Sequence, residues 1–139
     1  MRTVAALAAA GACAGVIGLG AYRLARGACP AGAQALSRLD LVFGLARRGG
    51  GEVSEQDWRA FADGEIAPRF PDGFTVVPGD GRWRGPDGKI VREASRVLTV
   101  WYRPRPDTDG QIEAIRQAWT QRFDQESVLR ADATGCVRF

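Results

Sequence analysis

Pro68-Arg69-Phe70-Pro71-Asp72-Gly73-Phe74-Thr75 separates a helical pattern on its N-terminal side from a sheet pattern on its C-terminal side. Two prolines fix φ, the glycine accepts a positive φ, and two phenylalanines bracket an arginine and an aspartate. The segment therefore reads as one rigid, anchored turn, serving as a structural clasp or as a binding rim.

Immediately before it, Trp58, Phe61, Ala62 and Ile66 recur at helical spacing until Pro68 stops the pattern. The helix start is marked by Ser54 as N-cap with Asp57 three residues on, and Val53 is placed to staple onto Trp58. Further upstream, Leu39, Leu41 and Phe43 alternate with Arg38, Asp40 and Val42, the period-two signature of a strand over about 36–44. Between the two, Arg47-Arg48-Gly49-Gly50-Gly51 reads as a flexible connection. A glycine-rich loop entering a helix can hold phosphate, but Glu52, Glu55 and Asp57 already bring negative charge to that helix end, so a plain loop is expected.

Downstream of the turn, Phe74–Val77 reads as a second strand, broken by Pro78-Gly79-Asp80-Gly81. The glycines at 79, 81 and 85 have the wrong spacing for a dinucleotide loop, and strand-like sequence follows them instead of a helix. Arg82-Trp83-Arg84 and Lys89-Ile90-Val91 flank Gly85-Pro86-Asp87-Gly88, a turn with proline second and glycine fourth, so a separate small hairpin is expected. Arg96–Tyr102 is the strongest strand pattern in the chain, closed by Pro104 and Pro106. A second helix starts near Thr108, with Gln111 in capping-box position, and presents Ile112, Ile115, Trp119 and Phe123 along one face. Val128–Phe139 supplies a last strand or strand pair, with a kink expected near Gly135. The order is βαββαβ, which predicts an α+β, ferredoxin-like sandwich with two helices on one face of an antiparallel sheet.

At 139 residues, the chain has room for one core, assigned to 29–139. The formal charge of +3 comes from position: Arg2, Arg23 and Arg26 precede every acid. Removing those three from the 19 basic residues leaves 16 against 16 acidic ones, so the domain is neutral and nucleic acid is not an expected partner. Residues 1–28 read as a signal peptide or an N-terminal membrane anchor. Val4–Ala21 carries no charge, but 12 of its 18 residues are Ala or Gly, and Arg23 and Arg26 follow it, which favours export over retention. Cys13 lies within that run without a leucine-like residue three positions earlier, so a lipid anchor is not expected. Gly11 and Gly15 have helix-dimer spacing, which an Ala/Gly tract produces by chance. Exported and periplasmic, envelope-associated or secreted is thus the expected location. Cys29 and Cys136 then stand at the two ends of the domain, and in an oxidising compartment they invite a disulfide; two free thiols are the alternative. Cleavage after Ala31-Gly32-Ala33 would remove Cys29 and strand its partner.

The chain has no histidine, which removes the commonest general base, the triads built on it and the usual zinc ligands. No metal and no cofactor are expected. Asp72 and Glu93, each beside an arginine, are the weak candidates for acid/base work, with an arginine-paired structural acid as the simpler reading. Arg69 either bonds the turn carbonyls and its own Asp72 or projects toward an anion. Arg92-Glu93-Ala94-Ser95-Arg96 reads as a solvated strand edge, Trp83 as an exposed recognition aromatic, and Gln125-Glu126-Ser127 as a helix stop.

Several short motifs occur in one order: Leu41-Val42-Phe43-Gly44, Gly51-Glu52-Val53-Ser54, Pro68 to Gly73, Gly85 to Gly88, Arg92-Glu93, Arg122-Phe123, Gln125 to Leu129, and Cys136-Val137-Arg138-Phe139. Together they resemble the small bacterial family catalogued as domain of unknown function 3574, over about residues 36–139. The resemblance implies a small exported or envelope-associated protein with a cysteine near each end, and it carries no known catalytic residue. Ala94, where that family usually has proline, and Arg138, where it has a small residue, are departures. The reading that follows is a non-catalytic module binding a ligand or protein partner through a rim of Arg69, Asp72, Trp83 and Arg92. The rivals are a histidine-free enzyme using Asp72 or Glu93 with Arg69 or Arg92 as clamps, built as a homodimer through its sheet face, and a structural accessory subunit.

Overall fold

A computed structural model describes residues 29–139 except Pro86, so the targeting run and Cys13 lie outside the described residues. The elements are β1 (Gln34–Gly44), α1 (Glu55–Phe61), a π-turn (Ala62–Ile66), β2 (Thr75–Arg84), β3 (Ile90–Tyr102), α2 (Thr108–Phe123) and β4 (Leu129–Val137). The βαββαβ order is therefore present. The four strands form one antiparallel sheet in the order β2-β3-β1-β4, with β2 and β4 on the edges.

Period-two alternation sorts the sheet into two faces. Leu39, Leu41 and Phe43 of β1, with Leu98 and Val100 of β3, are buried together with both helix stripes in one core. Trp58 and Phe61 from α1 and Trp119 from α2 surround Phe43, Phe123 packs behind them on Phe61 and Trp119, and the closest ring pair, Trp119 with Phe123, has centroids 4.4 Å apart. Both helices thus cover the same sheet face.

The local signals act as expected at α1, where Ser54 Oγ accepts from Asp57 N at 3.1 Å and donates to Asp57 Oδ2 at 2.9 Å. After Phe61 the helix widens into a π-turn, in which Ala67 N bonds Ala62 O. The extra residue lets Ala62 and Ile66 reach the core together with Trp58 and Phe61. At α2 the N-cap is Asp107, one residue before the expected start, and Gln111 donates its side-chain amide to Asp107 Oδ2 at 2.6 Å instead of completing a capping box.

Two expectations about strands need correction. Pro78-Gly79-Asp80-Gly81 does not break β2; it runs within one ten-residue strand paired with β3 throughout. An edge strand tolerates a proline because one side of its backbone has no partner to lose. The expected small hairpin is accordingly the distal part of a long β2–β3 hairpin, closed at Gly85–Gly88 by Gly88 N to Gly85 O at 2.9 Å. β4 is likewise one strand through Gly135, where a Cβ would stand 2.9 Å from the Trp101 ring. That glycine serves close approach, not a kink.

Candidate functional site

The 68–73 turn forms one wall of a cavity of 280 Å³ whose opposite side is the end of β3 and the N-terminal end of α2. Its floor is apolar: Phe70 is buried and stands edge-on to Tyr102 with ring centroids 5.8 Å apart, and Val100 lies beside them. Burial, followed by the nearby Asp132, pushes the Tyr102 phenol above its ordinary range, so it stays protonated and able to donate at neutral pH. A wider depression of 480 Å³ lies across the turn and shares Asp72, Gly73 and Arg103 with the first.

Arg69 lines the cavity, but its guanidinium turns back onto the preceding helix. Nη1 donates to the Glu65 carbonyl and to Glu65 Oε2, the latter at 2.9 Å. The expected partner was Asp72; Glu65 wins because a residue four positions back lies on the same helical face. Asp72 is exposed at the rim and has no hydrogen-bond or ion-pair partner among the described residues.

Two arginines that the motif reading passed over stand at the same mouth. Arg103 and Arg105 alternate with Pro104 and Pro106 between β3 and α2, and a residue preceding proline is held extended. Arg103 Nη2 donates to the neutral Gln34 Oε1, and Arg105 Nε lies 3.7 Å from Asp107 Oδ1. The signal that finds them is the Arg-Pro-Arg-Pro run directly ahead of a helix start. The sequence reading used it only to end the strand.

The other two members of the predicted rim are elsewhere. Trp83 and Arg92 sit on the β2–β3 arm, and ten residues of β3 separate Arg92 from Tyr102, roughly 33 Å at the usual rise. The arm end has its own cavity, of 560 Å³, lined among others by Trp83, Glu93, Ser95 and Gln125. Glu93 was expected beside an arginine. It instead accepts a hydrogen bond from Ala46 N at 3.1 Å across 47 residues, and Gln125 Nε2 donates to Ala46 O. Gln125 therefore pins the β1–α1 connection as well as following the helix end. That connection is itself a closed turn, with Arg47 N bonding Gly51 O at 3.0 Å and Gly50 N bonding Arg47 O at 2.9 Å. The solvated-edge reading of 92–96 holds only at its start: Arg92 is exposed on the arm beyond the end of β1, whereas Ser95 is buried and Arg96 pairs with Glu55 at 2.6 Å.

At the turn end, Cys29 and Cys136 form a disulfide with Cα atoms 5.4 Å apart, in the ordinary range for a bridge. Among the described residues no group of three or more His, Cys, Asp or Glu side chains is placed to hold a metal, and no helix is long and apolar enough to cross a membrane.

The family described as protein of unknown function, DUF3574, matches residues 38–139. The chain belongs to that family. None of the curated proteins matches it. Among solved structures, this DUF3574 protein is similar to a phage SAM lyase in complex with S-methyl-5'-thioadenosine, at 17% identity and a TM-score of 0.54, covering 81% of this chain and 94% of that one. It is also similar to CutA from Synechococcus elongatus, at 16% identity and a TM-score of 0.48, covering 74% and 80%. At 17% identity the likeness to the SAM lyase is one of fold.

Proposed function

We propose that this DUF3574 protein is an exported or envelope-associated binding domain, not a catalyst, and that it takes a small organic anion into the cavity beside the 68–73 turn. The observation that supports this is the pair Arg103 and Arg105: held by alternating prolines, they line a cavity with an apolar floor, one with only a neutral partner among the described residues and the other with a carboxylate at 3.7 Å. Planar guanidinium forks on a preset backbone lose little freedom when they meet a carboxylate or phosphate. The neutral Tyr102 phenol adds a hydrogen-bond donor; the start of α2 adds little, because Asp107 and Asp109 already bring negative charge to it. Binding is favoured over acid/base catalysis because Asp72 is exposed at the rim and Glu93 belongs to the other cavity, so neither carboxylate is enclosed together with these arginines. Arg69 holds the turn in shape. The location reading is supported by the apolar run at 4–21 and by a disulfide of the kind that oxidising compartments maintain.

The test is calorimetric titration of the full chain with a panel of aliphatic and aromatic carboxylates and phosphate monoesters. Saturable binding is expected, and replacing both Arg103 and Arg105 by alanine is expected to weaken it ~100-fold, since a hydrogen bond to a charged group contributes about 1.5–3 kcal/mol. Arg69→Ala is expected to lower the unfolding free energy by about 1 kcal/mol and to leave affinity within ~3-fold, because its pair with Glu65 is partly solvated. The reading fails if no anion binds, or if Arg69→Ala weakens binding as much as the double variant does.

A further inference from the structure

On the sheet face away from the helices, the strand registers place side chains in rows across the strands. Val77, Val97, Val42 and Leu129 form one row, and Trp83 with Val91 forms another on the arm. Between them the rows are nearly bare: Gly79, Ser95 and Gly44 lie side by side, and Gly81 stands beside Glu93. The result is a trough: Val42 and Leu129 of the first row and Trp83 and Val91 of the second line the arm-end cavity, with Gly44, Gly81, Glu93 and Ser95 between them.

The glycines are what keep it open. A Cβ on Gly79 would stand 2.5 Å from Ser95 Oγ, and one on Gly44 would stand 2.9 Å from the Glu93 carboxyl carbon. Ser95 is 6% exposed, lines the trough, and its hydroxyl has no hydrogen-bond partner among the described residues. That oxygen is not sealed off: Trp119 Nε1 is the one side-chain polar atom buried without a partner among the described residues, so the Ser95 hydroxyl opens onto the trough and can accept. Glu93 spends Oε1 on Ala46 N, and its Oε2 has no partner among the described residues. The charge around the trough is also unbalanced. Arg47 and Arg82 are already paired, with Asp57 at 3.2 Å and Asp80 at 2.9 Å. Glu93, Asp124 and Glu126 make no ion pair among the described residues, and of the three arginines that line the trough only Arg48 is likewise unpaired.

We propose that this trough is a second binding site, separate from the anion cavity, and that it takes a small organic cation: a primary ammonium on an apolar stem. The ammonium has three donors and no acceptor, which suits Glu93 Oε2 and Ser95 Oγ two residues apart on one face. The stem lies along Val42 and Leu129, which line the trough, and Trp83, 45% exposed on the arm, lines it too and supplies an aromatic ring for the charge.

The experiment is a ¹H–¹⁵N correlation titration of the full 139-residue chain with n-hexylammonium, with hexanoate and hexanol as controls. The amides of Gly44, Gly81 and Ser95, which line the trough, report directly on the floor. Saturable shifts confined to these amides and their neighbours are expected with the amine and not with the controls. Glu93→Gln keeps an acceptor for Ala46 N while removing the charge, and is expected to weaken binding at least ~10-fold with the rest of the spectrum unchanged, the loss of one charge-assisted contact. Ser95→Ala, which changes the volume little, is expected to weaken it ~3- to 10-fold and decides the matter if Glu93→Gln disturbs the fold. Equal shifts from hexanol would reduce the trough to an apolar groove and overturn the proposal. So would a preference for hexanoate, unchanged affinity in both variants, or no saturation by about 20 mM amine.

Discussion

At the turn end of the sheet, Cys29 is tied to Cys136, Arg138 donates to Ala31 O, Arg103 reaches Gln34, and Phe70 is packed on Tyr102. At the arm end, Gly81–Arg84 and Ile90–Glu93 have only each other as strand partners among the described residues, because β1 ends opposite Ser95, and Leu45 N and Ala46 N bond only Ala94 O and the Glu93 carboxylate beyond it. Trp83 and Ile90 there remain 45% and 59% exposed. One sheet therefore carries two construction styles. The turn end is cross-linked by several long-range contacts, which suits a site whose arginines are preset. The arm end is a two-stranded ribbon of a kind that is marginal by itself, and its cavity depends on missing side chains more than on contacts.

The largest expected effect that would sharpen this contrast is loss of the disulfide. Replacing Cys29 and Cys136 by serine reopens a loop spanning 107 residues, and the chain-entropy account of such loops gives a loss of about 4–5 kcal/mol. Thermal unfolding followed by circular dichroism reads it directly. An unchanged midpoint would mean that the turn end does not depend on its cross-link, and the contrast would collapse.

Next in size is the difference in local opening. Amide hydrogen exchange at Trp83 and Val91 is expected to run at least ~100-fold faster than at Leu41 and Phe43, because the arm opens without exposing the core. Equal protection along β3 would show the arm and the sheet opening as one unit.

The smallest effect lies between the two ends, at Asp40 on the outer face of β1. Burial pushes its carboxyl up, but hydrogen bonds from Thr99 and Arg38 outweigh this and hold it below the ordinary range. A carboxylate depressed in the folded state adds stability that is present above its unfolded pKa, about 3.9, and is lost as pH falls through the folded value. Acid unfolding of Asp40→Asn should therefore show a shallower dependence below about pH 4, with a difference of under about 1 kcal/mol at neutral pH. Identical acid profiles would place the acid sensitivity in other carboxylates, of which Glu113, held low first by Arg116 and then by Arg130, is the next to replace.

Elements with a strong local period were legible in the sequence. β1, the central part of β3 and both helix stripes combine that period with good caps or stops, and their order alone gave βαββαβ. β2 was read short because proline and glycine are ordinarily turn residues; whether they end a strand depends on its place in the sheet, which is a non-local fact. The π-turn had no marker, since Asp63-Gly64-Glu65 fits an α-helix as well. At the sites, Arg69 and Asp72 line one cavity together because the turn that holds them is local. The convergence of Glu93 and Gln125 on Ala46 spans 47 and 79 residues and leaves no trace in spacing. The single rim failed for the same reason: neighbours in motif order became opposite ends of a long hairpin.

The residues that made β2 look broken have a further consequence for concentrated protein. β2 is an open edge, and an exposed edge offers unpaired backbone groups to any passing strand. Pro78 withholds a donor in the middle of that edge, the flanking glycines weaken its extended form, and Asp80 with Arg82 sets charges along it. An incoming strand would meet a gap and an ion pair where it needs a continuous ladder. The edge can thus stay open in solution without seeding strand-by-strand polymerisation.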